Sequence, residues 1–187
     1  MEKIITLNTA YLQLRQWCAS DREPFAALNA DAAVMEFFPA TLTRQQSDAL
    51  ANKIEELIAR RGWGFWAVEL TGLAPFIGFV GLHVPEHPLP FSPCVEIGWR
   101  LAPNYWGKGY ACEAATAALQ FAFERLGLDE VVSFTAALNL RSQAVMKRLG
   151  MQCDGALFQH PGVPPGHPLR THVLYRAQKT LSGPSRM

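Results

Sequence analysis

Trp106-Gly107-Lys108-Gly109-Tyr110-Ala111 is the stretch on which the fold turns. It follows a strand-like run, Val95–Leu101, and opens an alanine-rich helical run. A strand, a glycine-bearing turn and a helix start together make a ready anion site. The free N–H groups of the first helical turn point outward, and the helix dipole adds partial positive charge. Glycine lets the backbone approach a phosphate with no Cβ in the way. A phosphate-bearing cofactor is therefore expected here. A dinucleotide fingerprint would need a third glycine where Cys112 stands, and a Walker A loop would need Gly-Lys-Ser/Thr, which is absent.

Downstream of the turn, Ala111, Ala114, Ala115, Ala118, Leu119, Ala122 and Leu126 recur at helical spacing, with Gly127 placed to close the helix. Small residues on that face let a helix lie close to a sheet. Glu130–Ala136 reads as a strand. Asn139 caps a short helix carrying Val145, Met146 and Leu149 and closed by Gly150. Gln152–Gln159 and Thr171–Gln178 read as two last strands, joined by the loop His160–Pro168. Upstream, Tyr11–Arg15 alternates as a strand. Ser20 with Glu23 reads as a capping box, and Thr43 with Gln46 as another, leading a stripe of Leu50, Ile54, Leu57 and Ile58 that stops at Gly62. The segment Val34–Phe38 ends at Pro39. Gly64–Leu70 and Phe76–His83 are strands about a Thr71-Gly72 turn, followed by a loop broken by four prolines. The order is strand, two helices, three strands, helix, strand, helix, two strands. It predicts a mixed α/β or α+β sheet with helices on both faces. Residues 1–180 are expected to form one domain, and 181–187 a disordered tail.

Apolar residues make up 49% of the 187 positions and charged residues 18%, enough for a full core. A formal charge of +1 argues against a nucleic-acid protein held by phosphate contacts. No apolar run is long enough to span a bilayer, and the first residues lack the core of a secretory signal, so a cytosolic protein away from membranes is expected. Cys18, Cys94, Cys112 and Cys153 have no metal-ligand spacing and are expected to be reduced, small buried residues. Cys112 at a helix start is a weaker, nucleophilic alternative.

This order, with the glycine turn after the strand Val95–Leu101, resembles the GNAT superfamily of acyl-CoA N-acyltransferases. Gly109 and Ala111 fall on the matching positions of that family's pyrophosphate signature, Gln/Arg-x-x-Gly-x-Gly/Ala. Trp106 stands where Gln or Arg is usual, which resembles the RimJ/RimL branch of ribosomal-protein N-terminal acetyltransferases. Glu96-Ile97-Gly98-Trp99, the run from Trp106 to Ala114, and Asn139-Leu140-Arg141-Ser142 with Leu149-Gly150-Met151 resemble the same branch. The resemblance implies a GNAT fold, in which a mostly antiparallel mixed sheet splays between two parallel central strands, Val95–Leu101 and Glu130–Ala136. It implies acetyl-CoA as cosubstrate. Pantetheine would pair with the strand edge near Trp99, Arg100 and Leu101, and pyrophosphate would sit on Trp106, Gly107, Lys108, Gly109, Tyr110 and Ala111, Lys108 mainly through its backbone N–H. Asn139 would contact the pantetheine arm or a water, a role compatible with its cap. Ser142 would sit near the coenzyme sulfur.

Glu96 is the candidate general base, since an amine must lose a proton before attack and a partly buried carboxylate can accept it; a partly exposed structural carboxylate is the alternative. Glu113, in the first helical turn, reads as structural. Pro85 between His83 and His87 rules out a helical metal pair, and no metal is expected. His160, His167 and His172 read as solvated loop residues bordering an acceptor pocket. Phe37, Phe38, Trp63, Phe65 and Trp66 read mostly as core, with part of the cluster at the acceptor mouth. The acceptor implied is a primary amine, either a protein N-terminus or a small molecule, with the enzyme a monomer or homodimer. A non-catalytic acyl-CoA-binding module is the reading of a different class.

Overall fold

The computed structural model describes residues 3–179. In chain order it holds β1 (Leu7–Asn8), β2 (Leu12–Arg15), α1 (Arg22–Ala30), α2 (Arg44–Arg61), β3 (Phe65–Leu70), β4 (Ala74–His83), β5 (Glu96–Leu101), α3 (Tyr110–Glu124), β6 (Glu130–Ala136), α4 (Leu140–Arg148), β7 (Gln152–Gln159) and β8 (Thr171–Gln178). The strands form one sheet in the order β1-β2-β3-β4-β5-β6-β8-β7. All pairs are antiparallel except β5 with β6. The predicted order is found, with β1 added; two residues are too short to show a period. The expected tail, Leu181–Met187, lies outside the described residues.

The helices bury the centre of the faces their patterns marked, while Leu50, Leu57, Ala111, Leu126, Val145 and Leu149 of those faces are half-buried. α3 lies over β2, β4 and β5, and Ala114, Ala115, Ala118 and Ala122 are fully enclosed. It ends at Glu124, and Gly127 (φ 69°) shapes the turn beyond. On the other face, α1 packs on β4 and α2 on β3. α2 carries its capping box: Gln46 N donates to Thr43 Oγ1 (3.2 Å) and Thr43 N to Gln46 Oε1 (2.8 Å), and Gly62 closes it in the left-handed region. The expected Ser20–Glu23 box does not form. Asp21 does that work, accepting from Cys18 N (2.9 Å) and from both terminal nitrogens of Arg15 (2.8 and 2.9 Å). A buried carboxylate holding a forked guanidinium outcompetes a hydroxyl. The expected burial of the cysteines also fails. Cys18 and Cys153 are exposed and Cys94 and Cys112 half-buried, all four as free thiols. Cys153 sits on β7, a sheet-edge strand with little covering it.

Two features of β5 prepare the site. Its ladder to β6 holds one residue pair, Glu96 with Val132, and beyond it the strands part. On its other side β4 comes unusually near at Gly78 (φ 138°), where a Cβ would stand 2.1 Å from the Arg100 carbonyl oxygen and 2.8 Å from Leu101 Cα. Gly78→Ala should therefore push β4 off β5. We expect a loss of about 3 kcal/mol, or roughly 10 °C in Tm, by thermal unfolding. An unchanged Tm would mean that this contact does not set the strand spacing.

Candidate active site

Backbone alternation sorts the groups along β5. The carbonyl of Val95 accepts from Val132 N (3.0 Å), that of Ile97 from Ser133 Oγ (2.9 Å) and that of Leu101 from Trp106 Nε1 (2.7 Å). Odd-numbered residues thus direct their peptide groups toward β6, and Glu96, Gly98 and Arg100 direct theirs into the β4 ladder. Ser133 ties the two strands one residue past their last pair. Where they part, Trp99 offers the open edge, with no β6 residue across from it. The main chain of Arg100 belongs to the β4 pairing with Phe79, so only its side chain is available. The Leu101 carbonyl is already taken by the Trp106 indole, which leaves its N–H.

The gap between the strands opens into a cavity of about 930 Å³. Glu96, Trp99, Arg100, Leu101, Trp106, Gly107, Gly109, Tyr110, Ala111, Asn139 and Ser142 all line it. Lys108 does not; its ammonium stands 5.8 Å from the Tyr105 ring centroid. Gly107 (φ 71°) and Gly109 (φ 87°) hold left-handed backbone, and a Cβ on either would meet nothing within 4 Å. The turn is therefore an open cradle under the first N–H groups of α3. The Trp106–Leu101 bond fixes that cradle to the end of β5, giving the unusual tryptophan a structural reason. Above it, the Arg141 guanidinium lies 4.5 Å from the Trp106 ring centroid and bonds Glu36 (2.5 Å), strapping α4 to the segment before α2.

Asn139 caps α4: its Oδ1 accepts from Ser142 N (3.0 Å), and its Nδ2 donates to Thr135 Oγ1 (3.0 Å). One Nδ2 hydrogen remains for another partner. Ser142 stands on the same turn and faces the cavity. Glu113 accepts from Thr9 Oγ1 (2.5 Å) and Tyr11 N (2.8 Å), tying α3 to the chain before β2, which is a structural task.

The opposite wall holds charges that no described residue neutralises. Burial pushes the Glu96 carboxyl up to about 7, and among the described residues it has neither ion pair nor hydrogen bond. Arg100, on the same face of β5, is lowered to about 10 by burial. Its Nη1 donates to Asn29 Oδ1 (2.5 Å), and its Nε is sealed from solvent with no partner. The guanidinium lies 4.2 Å from the Phe38 ring centroid and 5.3 Å from that of Phe79. Ring quadrupoles return ~0.5–2 kcal/mol, less than the several kcal/mol that burying an ion costs. Gly98 sits between Glu96 and Arg100; a Cβ there would come within 3.2 Å of the Phe65 ring.

His160 and His172 are not solvated loop residues. Their rings lie 4.7 Å apart among Phe134 and Phe158, both line the cavity, and His172 is 9% exposed. Burial pushes His160 down to about 4, helped by the nearby His172 and His87, and lowers His172 too, so both are neutral near pH 7. His167 stands apart, accepting from Leu169 N (3.1 Å). Phe37, Phe38 and Phe65 line the cavity, whereas Trp66 is fully core. Among the described residues no group of three His, Cys, Asp or Glu is placed to hold a metal, and no helix is long and apolar enough to cross a membrane. Sequence reasoning missed Ser133, Arg141 and the Arg100 side chain. The last was findable, because strand alternation places it on the Glu96 face.

Residues 11–152 match the family described as Acetyltransferase (GNAT) domain. The chain belongs to the GNAT acetyltransferase family. FsC-acetyl coenzyme A-N(2)-transacetylase of Aspergillus fumigatus is 33% identical over 86% of this chain and 70% of its own length. The N-acetyltransferase YnaD of Bacillus subtilis is 30% identical over 80% and 84%. Among solved structures, an acetyltransferase from Agrobacterium tumefaciens superposes with a TM-score of 0.76 at 27% identity, covering 96% of this chain and 97% of that one. The chain is an acetyl-transfer enzyme of GNAT type, and GNAT acetyltransferases use acetyl-CoA and an acceptor amine.

The Glu96 environment has a measurable consequence. Its folded pKa lies above the ordinary 4.5, so ionisation opposes folding. Stability falls as pH rises from about 4.5 through about 7, then levels. Glu96→Gln should melt near wild type at pH 4.5 and above it at pH 8, by up to ~3 kcal/mol or ~6–12 °C. Parallel Tm curves across that range would show that Glu96 titrates normally.

Proposed function

We propose that this GNAT acetyltransferase moves an acetyl group from acetyl-CoA to a primary amine by direct attack within a ternary complex. The observation that carries the reading is the parting of β5 and β6 beyond Glu96–Val132, with the open edge of Trp99 and the cradle at Gly107 and Gly109 in one cavity. In this reading the Trp99 peptide pairs with the pantetheine arm like an added strand, aided by the Leu101 N–H. The N–H groups of Gly109, Tyr110 and Ala111 receive the pyrophosphate, with Lys108 contributing its backbone alone. Asn139 offers its remaining amide hydrogen to the arm. The Trp99 N–H, the first amide past the fork, polarises the thioester carbonyl, stabilising negative charge where it develops.

Glu96 takes the proton of the attacking ammonium. It lies three residues, ~10 Å, along the strand from Trp99, so one water can complete the reach. The nitrogen lone pair forms the C–N bond, and as the C–S bond breaks the Ser142 hydroxyl protonates the departing thiolate; the second proton, which the nitrogen sheds on becoming an amide, restores that hydroxyl. Most of the acceleration comes from holding two reactants in register and away from water.

The acceptor end is walled by Phe37, Phe38, Phe65 and Phe79 and by the strap from Arg141 to Glu36. That enclosure favours a small-molecule amine. The Aspergillus fumigatus relative, whose name specifies transfer to N(2), is in keeping with a small amine. A second reading, acetylation of a protein N-terminal α-amine, rests on the run from Trp106 to Ala114 and its RimJ/RimL-like form.

Acetyl-CoA should raise Tm selectively over NAD and ATP, because a ligand of the folded state stabilises it. Gly109→Val should lose that shift, since its side chain fills the cradle and its branched Cβ drives the turn out of the left-handed region, while its own melting shows that the domain still folds; a retained shift would remove the pyrophosphate from this turn. For turnover, wild-type kcat/KM should rise with an inflection near pH 7. Glu96→Gln should lose that inflection and about 100-fold in rate near pH 8, converging on wild type only as the amine deprotonates itself. Superimposable pH profiles would assign proton removal to water alone.

A further inference from the structure

We propose that the acceptor is a small amine bearing a carboxylate close to its amino group, and that Arg100 is the specificity-determining residue that receives it. The inference rests on the transferase reading above and deepens it.

Arg100 points from β5 toward α1, into the same cavity as Glu96. The protein supplies it one neutral partner, the Asn29 side-chain oxygen, which is fully buried and itself held by Ser47 through its amide nitrogen (2.9 Å). No carboxylate of the described residues pairs with it; the described ion pairs lie elsewhere, at Arg15, Arg22, Arg44, Lys53, Arg141 and Arg176. Its guanidinium carbon lies against the Phe38 and Phe79 rings, its Nε is sealed, and its terminal nitrogens carry the one bond to Asn29. An arginine so placed presents a preorganised fork, and a planar oxyanion is its geometric complement. A buried cation facing a cavity without an internal counter-charge is completed by a ligand that brings one.

Its position along the strand sets the ligand's shape. Glu96, Gly98 and Arg100 share one face of β5. Gly98 has no side chain, so the Phe65 ring edge can close over it, 3.2 Å from where a Cβ would stand, and the cavity between Glu96 and Arg100 is floored by that ring. Arg100 lies two residues, ~7 Å, from Gly98. An amine in the cavity between Glu96 and Arg100 can thus give its proton toward Glu96 while an anionic group a few bonds away meets Arg100. The ring walls of Phe37, Phe38 and Phe65 suit an apolar substituent. Two other arginines line the cavity: Arg141 has Glu36 as counter-charge and Arg148 is exposed to solvent, so the demand of a buried charge falls on Arg100. A carboxylate is favoured over a phosphate because the guanidinium lies against the Phe38 and Phe79 rings, which suit a small planar anion of single charge.

The test is thiol release from acetyl-CoA with the standard L-α-amino acids, their carboxamides, and short peptides with acidic or neutral first residues. At least one free amino acid should exceed its carboxamide by 30-fold or more in kcat/KM. In Arg100→Gln that ratio should collapse toward one, and in Arg100→Lys it should be intermediate. The acetyl-CoA-dependent rise in Tm reports that each variant is folded. Carboxamides matching or exceeding the acids overturns the proposal and leaves the transferase reading standing. So does silence from both series while acetyl-CoA still raises Tm. Peptides outrunning free amino acids overturns it in favour of a protein acceptor. A ratio surviving in Arg100→Gln removes Arg100 from recognition. Absence of an acetyl-CoA shift in wild type would defeat the underlying reading instead.

Discussion

The β5–β6 ladder stops after one residue pair, and the rest of the site follows from that. Two parallel neighbours in a sheet would ordinarily exchange evenly spaced hydrogen bonds along their length. Here Glu96 and Val132 pair, Ser133 adds a side-chain bond to Ile97, and then the strands diverge. The result is an open peptide edge within a sheet, where an extended ligand can pair as a strand would. Neighbouring contacts hold the fork open. Gly78 lets β4 seat against β5 from behind, α3 lies close over the sheet on alanines, and the Trp106 indole locks the glycine turn to the Leu101 carbonyl.

The charges follow the same division. On the proposed cofactor side the protein offers peptide N–H groups and a helix start, fixed dipoles that need no counter-ion. On the proposed acceptor side stand two ionisable groups, Glu96 and Arg100, neither with a counter-charge among the described residues. Each is pushed toward its neutral form by burial alone. Had they been neighbours they would have neutralised each other; separated by Gly98, each is left for what enters the cavity. A carboxyl raised to about 7 suits accepting a proton near neutral pH.

Much of this was readable in the sequence because local signals and the global fold agree. The turn Trp106–Ala111, the alanine stripe after it and the strands Glu130–Ala136, Gln152–Gln159 and Thr171–Gln178 stand where the pattern put them. The Thr43–Gln46 box and Gly62 bound α2 as their chemistry demands. What escaped depended on distant partners. Ser20 lost its capping role because Arg15 draws Asp21 into a buried pair. The histidines His160 and His172 turned inward because Phe134 and Phe158 shelter them. Cys18 and Cys153 stayed accessible because a helix start and an edge strand are thinly covered. The Arg100 side chain went unread because its neighbours, Asn29, Phe38 and Phe79, come from three separate segments.

The central claim is that the open edge at Trp99 and the glycine cradle form one coenzyme site. Amide hydrogen exchange by mass spectrometry, with and without saturating acetyl-CoA, tests it most directly. The account predicts slowed exchange in two segments, the far half of β5 from Gly98 to Ala102 and the turn from Gly107 to Cys112, with β1 to β3 unchanged. Protection confined to other segments, or exchange at Trp99 and Gly109 unaltered by the ligand, would contradict it.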